Sequence, residues 1–227
     1  MKIFVYADSR GACLNKRFGV KKYKTYVEML KDEYDVESYV RNWSTLVGFL
    51  DMYKNKVNDY EAVIVHAGIV DHAPRRTRVC RERVYKGDKR IFDEIFGEEE
   101  ISNHLKNTIE VCKGECISNM YSIDMANAFL LPRLKTIPNL IWITSNRYIR
   151  EWKFNRSAFK QHVPENINII IDYARLFEKH LNIVDLTELS DDEIKKYSFD
   201  NIHFNLAGHE FLYDKIVKKI GDVTWTQ

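Results

Sequence analysis

The stretch "IFVYADSRG", residues 3–11, joins five apolar residues to a turn. The run Ile3-Phe4-Val5-Tyr6-Ala7 has no polar alternation, so it reads as a strand buried on both faces. It stops abruptly at Asp8-Ser9-Arg10-Gly11. These are residue types whose side chains bond their own backbone or accept unusual dihedrals. A serine in such a turn has no chemistry by itself. It becomes a nucleophile only when a base lies within hydrogen-bond reach and a third group orients that base.

Outward from this strand, apolar runs alternate with amphipathic segments. A helical pattern covers Val20 to Tyr34, a short strand Val36 to Val40, a helix Leu46 to Val57, and then comes the strand Ala62-Val63-Ile64-Val65. The alternation resumes with a helix over Ser118 to Leu131, a strand at Leu140-Ile141-Trp142-Ile143, a helix over Glu165 to Leu181 and a fifth strand at Ile183-Val184-Asp185-Leu186. A helix from Leu206 to Ile220 closes the chain, with Asn205 as its N-cap. Continuous apolar strands alternating with helices predict an α/β fold, a three-layer α/β/α domain on a five-stranded parallel sheet. Ligands of such folds bind at the carboxyl ends of the strands, where Ser9 falls. We expect one domain over residues 1–227, carrying a charged insertion at about 74–116.

The 227 residues are 45% hydrophobic, and 35 basic against 33 acidic residues leave a net charge of +2, so no global field points to nucleic acid or an anionic membrane. No apolar run is long enough to span a bilayer, and the start has no signal-peptide pattern, so a cytoplasmic protein is expected. Cys13, Cys80, Cys112 and Cys116 show no zinc spacing, and no metal or cofactor is expected. Cys112 and Cys116 would share a face if helical, and buried reduced thiols are the expectation.

Near the C-terminus, "SFDNIHFNLAGHEF", residues 198–211, sets Asp200 and His203 two residues apart, just ahead of the last helix. On a loop this spacing lets a carboxylate accept the imidazole Nδ1 proton and leaves Nε2 free as a base. The pair reads equally well as polar residues at a helix start. The order of blocks now matters. Ala7-Asp8-Ser9 follows the first strand, Gly68-Ile69-Val70-Asp71 follows the third, and Asp200-Asn201-Ile202-His203 precedes the last helix. In these three blocks the chain resembles the SGNH hydrolase superfamily, also called the GDSL esterase/lipase family.

The resemblance implies Ser9 as nucleophile, His203 as base and Asp200 as its orienter. It implies a serine esterase or acyltransferase acting through an acyl-enzyme on a small acyl ester, such as acetyl, of a carbohydrate-like substrate. It also implies an oxyanion hole completed by a glycine after the second strand and by the asparagine of the third block. Here "SYVRNWST", residues 38–45, has no glycine, Val70 stands at the asparagine position, and Ala7 replaces the first-block glycine. A backbone N–H of Asn42 or Trp43 is the expected substitute, with Gly68 permitting close approach and Asp71 holding the loop. His72 and Arg75 are candidates for binding substrate, against the plainer reading of His72 as a solvated loop residue. The altered hole motivates an alternative, a catalytically weak domain of the same fold that binds a glycan or a protein. A nucleotide binder ranks below both, since no Gly-rich phosphate loop follows the first strand. The arginines of "PRRTRVCRERVYKGDKR", residues 74–90, are read mainly as a solvated face balanced by "GEEE" at 97–100.

Overall fold

The computed structural model describes residues 1–56, 60–152 and 164–224. Five parallel strands form the central sheet: β1 (Lys2–Ala7), β2 (Asp35–Val40), β3 (Ala62–His66), β7 (Leu140–Ile143) and β8 (Asn182–Val184), in the order β2-β1-β3-β7-β8. The connection reverses direction between β1 and β3, so the carboxyl ends of these two strands flank the crevice where such sheets bind ligands. The remaining strands, β4 (Arg75–Arg76), β5 (Glu110–Cys112) and β6 (Glu115–Ser118), make a small antiparallel sheet in the order β4-β6-β5.

Strand residues alternate between two apolar layers. Phe4, Tyr6, Val63, Val65, Leu140 and Trp142 face the layer built from helices Leu46–Tyr53, Ile169–Glu178 and the insertion. Ile3, Val5, Ala62, Ile64, Ile141 and Ile143 face helices Tyr26–Glu33 and Leu206–Thr224. Every residue of β3 is buried, which is why this strand reads as an unbroken apolar run. Each buried Val or Ile there contributes roughly 1.5–3 kcal/mol of apolar transfer.

Several boundaries differ from the sequence reading for local reasons. The first long helix is Tyr26–Glu33 and begins six residues later than its apolar spacing predicts, because Thr25 and Glu28 close a capping box there. Val20 lies outside it and is exposed. The fifth strand stops at Val184, since Asp185 turns its carboxylate to the Thr187 N–H at 2.8 Å and Leu186 N–H donates to Thr144 Oγ1 at 2.7 Å. Residues 115–118 form β6, and the helix that follows starts at Ile123 with Ser122 as its cap. Part of the segment expected to be helical through Val57 lies outside the described residues.

The insertion is folded, not merely charged. Helical segments Thr77–Glu82, Arg83–Asp88 and Lys89–Phe96 run on from one another, and Glu98–Lys106 follows. They bury Cys80, Val84, Ile91, Phe92, Ile95, Phe96, Ile101 and Leu105 in the same layer as Val63 and Val65. Cys112 and Cys116 sit on the hairpin of β5 and β6 and not on a helix; Cys116 is exposed, contrary to the expected burial, and only Cys80 is buried. Among the described residues, no helix is long and apolar enough to cross a membrane.

Candidate active site

Ser9 opens a single tight turn, Ser9–Gly11, capped by Asp8, whose carboxylate accepts the Arg10 N–H at 2.9 Å. Arg10 folds back on the same carboxylate, with Nε to Oδ1 at 3.0 Å and Nη2 to Oδ2 at 2.8 Å. Its Nη1 donates to Ser145 Oγ at 2.9 Å, beyond the end of β7. Both members of the pair are buried, and through Arg10 the turn carrying Ser9 is fastened across β3 to the residues that follow β7. Arg10 cannot be singled out from the sequence. Its only signal was proximity to Asp8, which any turn residue shares.

The opposing loop is equally constrained. Ser198 and Phe204 form an antiparallel bridge, with Phe199 N–H donating to the His203 carbonyl at 2.8 Å. Gly208 permits this closure, because a Cβ there would lie 2.1 Å from the Tyr197 carbonyl oxygen. Asn201 accepts from Ile149 N–H at 2.6 Å, and Asn146 Nδ2 donates to the Asn201 carbonyl at 3.0 Å, so the loop after β7 braces this one. Asn146 and Arg147 thus cap the strand end, Arg147 pairing with Asp191 at 2.7 Å. Asn205 caps the last helix, accepting from Gly208 N–H at 3.0 Å.

These two loops bring Ser9, His203 and Asp200 into one hydrogen-bonded chain. Ser9 Oγ lies 3.2 Å from His203 Nε2, and His203 Nδ1 lies 2.9 Å from Asp200 Oδ2. Asp200 Oδ1 also accepts the backbone N–H groups of Ile202 at 2.8 Å and His203 at 2.7 Å. Burial pushes the Asp200 carboxyl up, but the His203 ring and these backbone donors outweigh it and hold the group below its ordinary range. The ring of Phe18, stacked on Phe199 at 4.4 Å, lies 6.0 Å from the His203 ring and flanks it.

After β3, Gly68 takes φ +118°, a conformation closed to a bulky side chain, and a Cβ there would press on the His72 ring at 3.0 Å. Asp71 is fully buried and accepts the Leu46 N–H at 3.1 Å, tying this turn to the helix after β2. Val70 is buried in the apolar layer and offers no side-chain donor. His72 is neither solvated nor at the cleft surface. It stacks on Tyr173 at 4.0 Å and pairs its Nε2 with the Tyr121 hydroxyl at 2.9 Å, deep in the core. Arg75 is likewise committed elsewhere: it donates to the carbonyls of Ala73 at 3.2 Å and Ile69 at 3.1 Å, with its guanidinium over the Trp43 ring. Asn42 lies on the exposed turn after β2, and its neighbour Trp43 takes φ +68°. That left-handed backbone costs a bulky residue roughly 1–3 kcal/mol.

No protein-family model and no curated protein matches the sequence. Solved structures do resemble it. A lipase/acylhydrolase from Enterococcus faecalis aligns over 97% of this chain and 95% of its own, with a TM-score of 0.55 at 14% identity. A GDSL-like lipase from Parabacteroides merdae aligns over 97% and 95%, with a TM-score of 0.53 at 14% identity. The fold is SGNH hydrolase-like. The acetylxylan esterase Axe2 from Geobacillus stearothermophilus has the same layout, covering 97% of this chain and 94% of its own at a TM-score of 0.53 and 16% identity. Two described variants of Axe2, one at a serine and one at an aspartate, are catalytic mutants of that enzyme. In this SGNH hydrolase-like sheet, Ser9 leaves β1, Gly68 follows β3, and Asp200 and His203 come from the loop before the last helix.

Proposed function

We propose that the protein is a serine ester hydrolase or acyltransferase that forms an acyl-enzyme on Ser9, with a small acyl ester of a carbohydrate-like molecule as substrate. The observation that carries this reading is the order of the hydrogen-bonded chain, from Ser9 Oγ through both ring nitrogens of His203 to Asp200. His203 Nε2 takes the serine proton as Oγ attacks the ester carbonyl carbon. Asp200 holds the Nδ1–H and offsets the charge that forms on the ring. Collapse of the tetrahedral intermediate expels the alcohol, which takes the proton from Nε2, and leaves the acyl group on Oγ. Water makes the second attack in a hydrolase, and an acceptor hydroxyl makes it in a transferase.

The oxyanion is left to backbone N–H groups, since Val70 stands where the resemblance expects an asparagine. Its loss as a donor costs on the order of 100- to 1,000-fold in rate, a reduction and not an abolition. The carbohydrate-like substrate is supported by the acetylxylan esterase of the same fold. Val70 is also the observation that favours a second reading, a binding domain with residual turnover. Hydrolysis of p-nitrophenyl acetate decides between them. Turnover that disappears in Ser9→Ala, with an unchanged melting temperature, supports the esterase; equal rates in both proteins refute it.

A further inference from the structure

The carboxyl edge of the sheet holds a second concavity. Val40 pairs with Ala7, and Arg41 N–H donates to the Ala7 carbonyl at 3.0 Å, so the turn after β2 departs directly beside the strand end that carries Ser9. A groove of about 600 Å³ opens between this turn, helix Leu46–Tyr53 and the Arg83–Asp88 segment of the insertion. Tyr39, Asn42 and Trp43 are among the residues lining it.

The charges of this groove cancel. Its walls carry Arg41 and Arg83 against Asp51 and Asp88. Arg83 pairs with Asp88 at 3.3 Å, while Asp51 is held by Lys54 and Arg90, each at 2.9 Å. A phosphate or carboxylate ligand calls for an excess of positive charge, and an acyl chain for an apolar lining. Neither is present in these walls. What they offer is a set of planar and hydroxyl hydrogen-bonding groups around one indole.

That indole is held against its own preferences. Trp43 keeps a left-handed backbone at φ +68° and remains 51% exposed. Two arginines of the insertion fix it: Arg83 Nη2 donates to its carbonyl at 3.1 Å, and the Arg75 guanidinium stands over its ring at 5.4 Å. Strain and exposure both work against stability, and strained backbone of this kind clusters at ligand clamps. A rigid exposed indole rimmed by neutral polar groups suits the C–H face of a sugar ring, with hydroxyls left to the rim.

We propose that the groove binds a neutral oligosaccharide, stacked on Trp43. That the bound sugar presents an ester to Ser9 rests on the function proposed above; binding in the groove does not. The test follows saturation transfer by NMR from the intact Ser9→Ala protein to xylotetraose and, separately, to adenosine 5′-monophosphate and octanoate. Transfer to xylotetraose is expected, and adding Trp43→Ala should weaken binding by about tenfold or more. Trp43→Phe keeps a ring and should retain most of the binding. Trp43→Gly accepts the left-handed backbone without strain, so it should lose binding while melting no lower than its parent. A lower melting temperature would mark Trp43 as structural and overturn the proposal. Absence of transfer to xylotetraose, transfer indifferent to Trp43→Gly, or transfer to the nucleotide or the fatty acid in its place would also overturn it. Hydrolysis of p-nitrophenyl acetate by the wild-type protein, measured in parallel, reports on the Ser9 reading alone.

Discussion

The Asp8–Arg10 pair makes a quantitative prediction, because it is buried on both sides and lies directly under the proposed nucleophile. Arg10→Ala removes the guanidinium bonds to Asp8 and the bond to Ser145, leaving a buried carboxylate with only the backbone N–H of residue 10 in the turn. Breaking a buried pair from one side costs about 3–5 kcal/mol. In a chain of this length each kcal/mol shifts the melting temperature by about 2–4 °C, so a fall of roughly 6–20 °C is expected. Asp8→Asn should cost a comparable amount, since it strands the arginine. The double variant Asp8→Asn/Arg10→Met leaves neither charge unpaired. Its loss should fall short of the sum of the single losses by roughly 1–3 kcal/mol. Urea titration of the four proteins measures the cycle. Turnover of p-nitrophenyl acetate by the double variant should still drop, because nothing then fastens the Ser9 turn to Ser145. Strict additivity, or a loss below about 1 kcal/mol for Arg10→Ala, would refute the account of the pair as the anchor of that turn.

Asp200→Asn should lower kcat by roughly 10³- to 10⁴-fold with little change in KM, since the backbone N–H groups of Ile202 and His203 keep the amide oxygen, the NH2 then faces Nδ1, and the ring is held in the wrong tautomer; equal kcat would assign the orienting role elsewhere. Burial raises the Asp71 carboxyl from 3.8 to about 7, against the pull of the Leu46 N–H and Arg75. The folded protein then keeps a proton that the unfolded chain releases, so stability is highest below the unfolded value and falls as pH rises through the window from 3.8 to about 7. Asp71→Asn should flatten the loss of urea midpoint between pH 5 and pH 7.5, and an unaltered pH dependence would contradict the assignment. Val70→Asn should change turnover only modestly, because the side chain is part of a packed apolar layer. A gain approaching roughly 100-fold would show a hole that merely lacks its donor.

The parts of the fold legible in the sequence are those whose environment is uniform. The central runs of β1, β3 and β7, Ile3–Ala7, Ala62–Val65 and Leu140–Ile143, are buried on both faces, so they are apolar without interruption, and the parallel sheet follows from them. The Asp200 to His203 contact was within reach of the sequence as one of two equal readings, because both residues sit on one short loop and the contact is local. His72 was not. Its partners Tyr121 and Tyr173 lie far along the chain, and nothing near residue 72 distinguishes a histidine stacked in the core from one in solvent. The insertion was hidden by its own arginines. Its apolar residues, Val84, Ile91, Phe92, Ile95 and Phe96, keep helical spacing, yet Lys86, Asp88, Lys89 and Arg90 part Val84 from Ile91, and Asp93 and Glu94 part Phe92 from Ile95, so the segment reads as a solvated face.

The insertion and the departures from the SGNH pattern meet at the same place. Val70 belongs to the apolar layer that receives Cys80, Val84, Ile91 and Phe92 from the insertion. Trp43, in the turn where the resemblance expects a glycine, takes the backbone conformation that glycine adopts freely, and two arginines of the insertion hold it there. An asparagine at position 70 would put a polar group into that layer, and an unsupported tryptophan at position 43 would have no reason to keep φ +68°. Trp43 is therefore tied directly to the insertion, and Val70 shares an apolar layer with it. If the proposed esterase is active, its cleft therefore uses a loop after β2 that the insertion supports, and loosening that support should lower turnover even with Ser9, His203 and Asp200 in place.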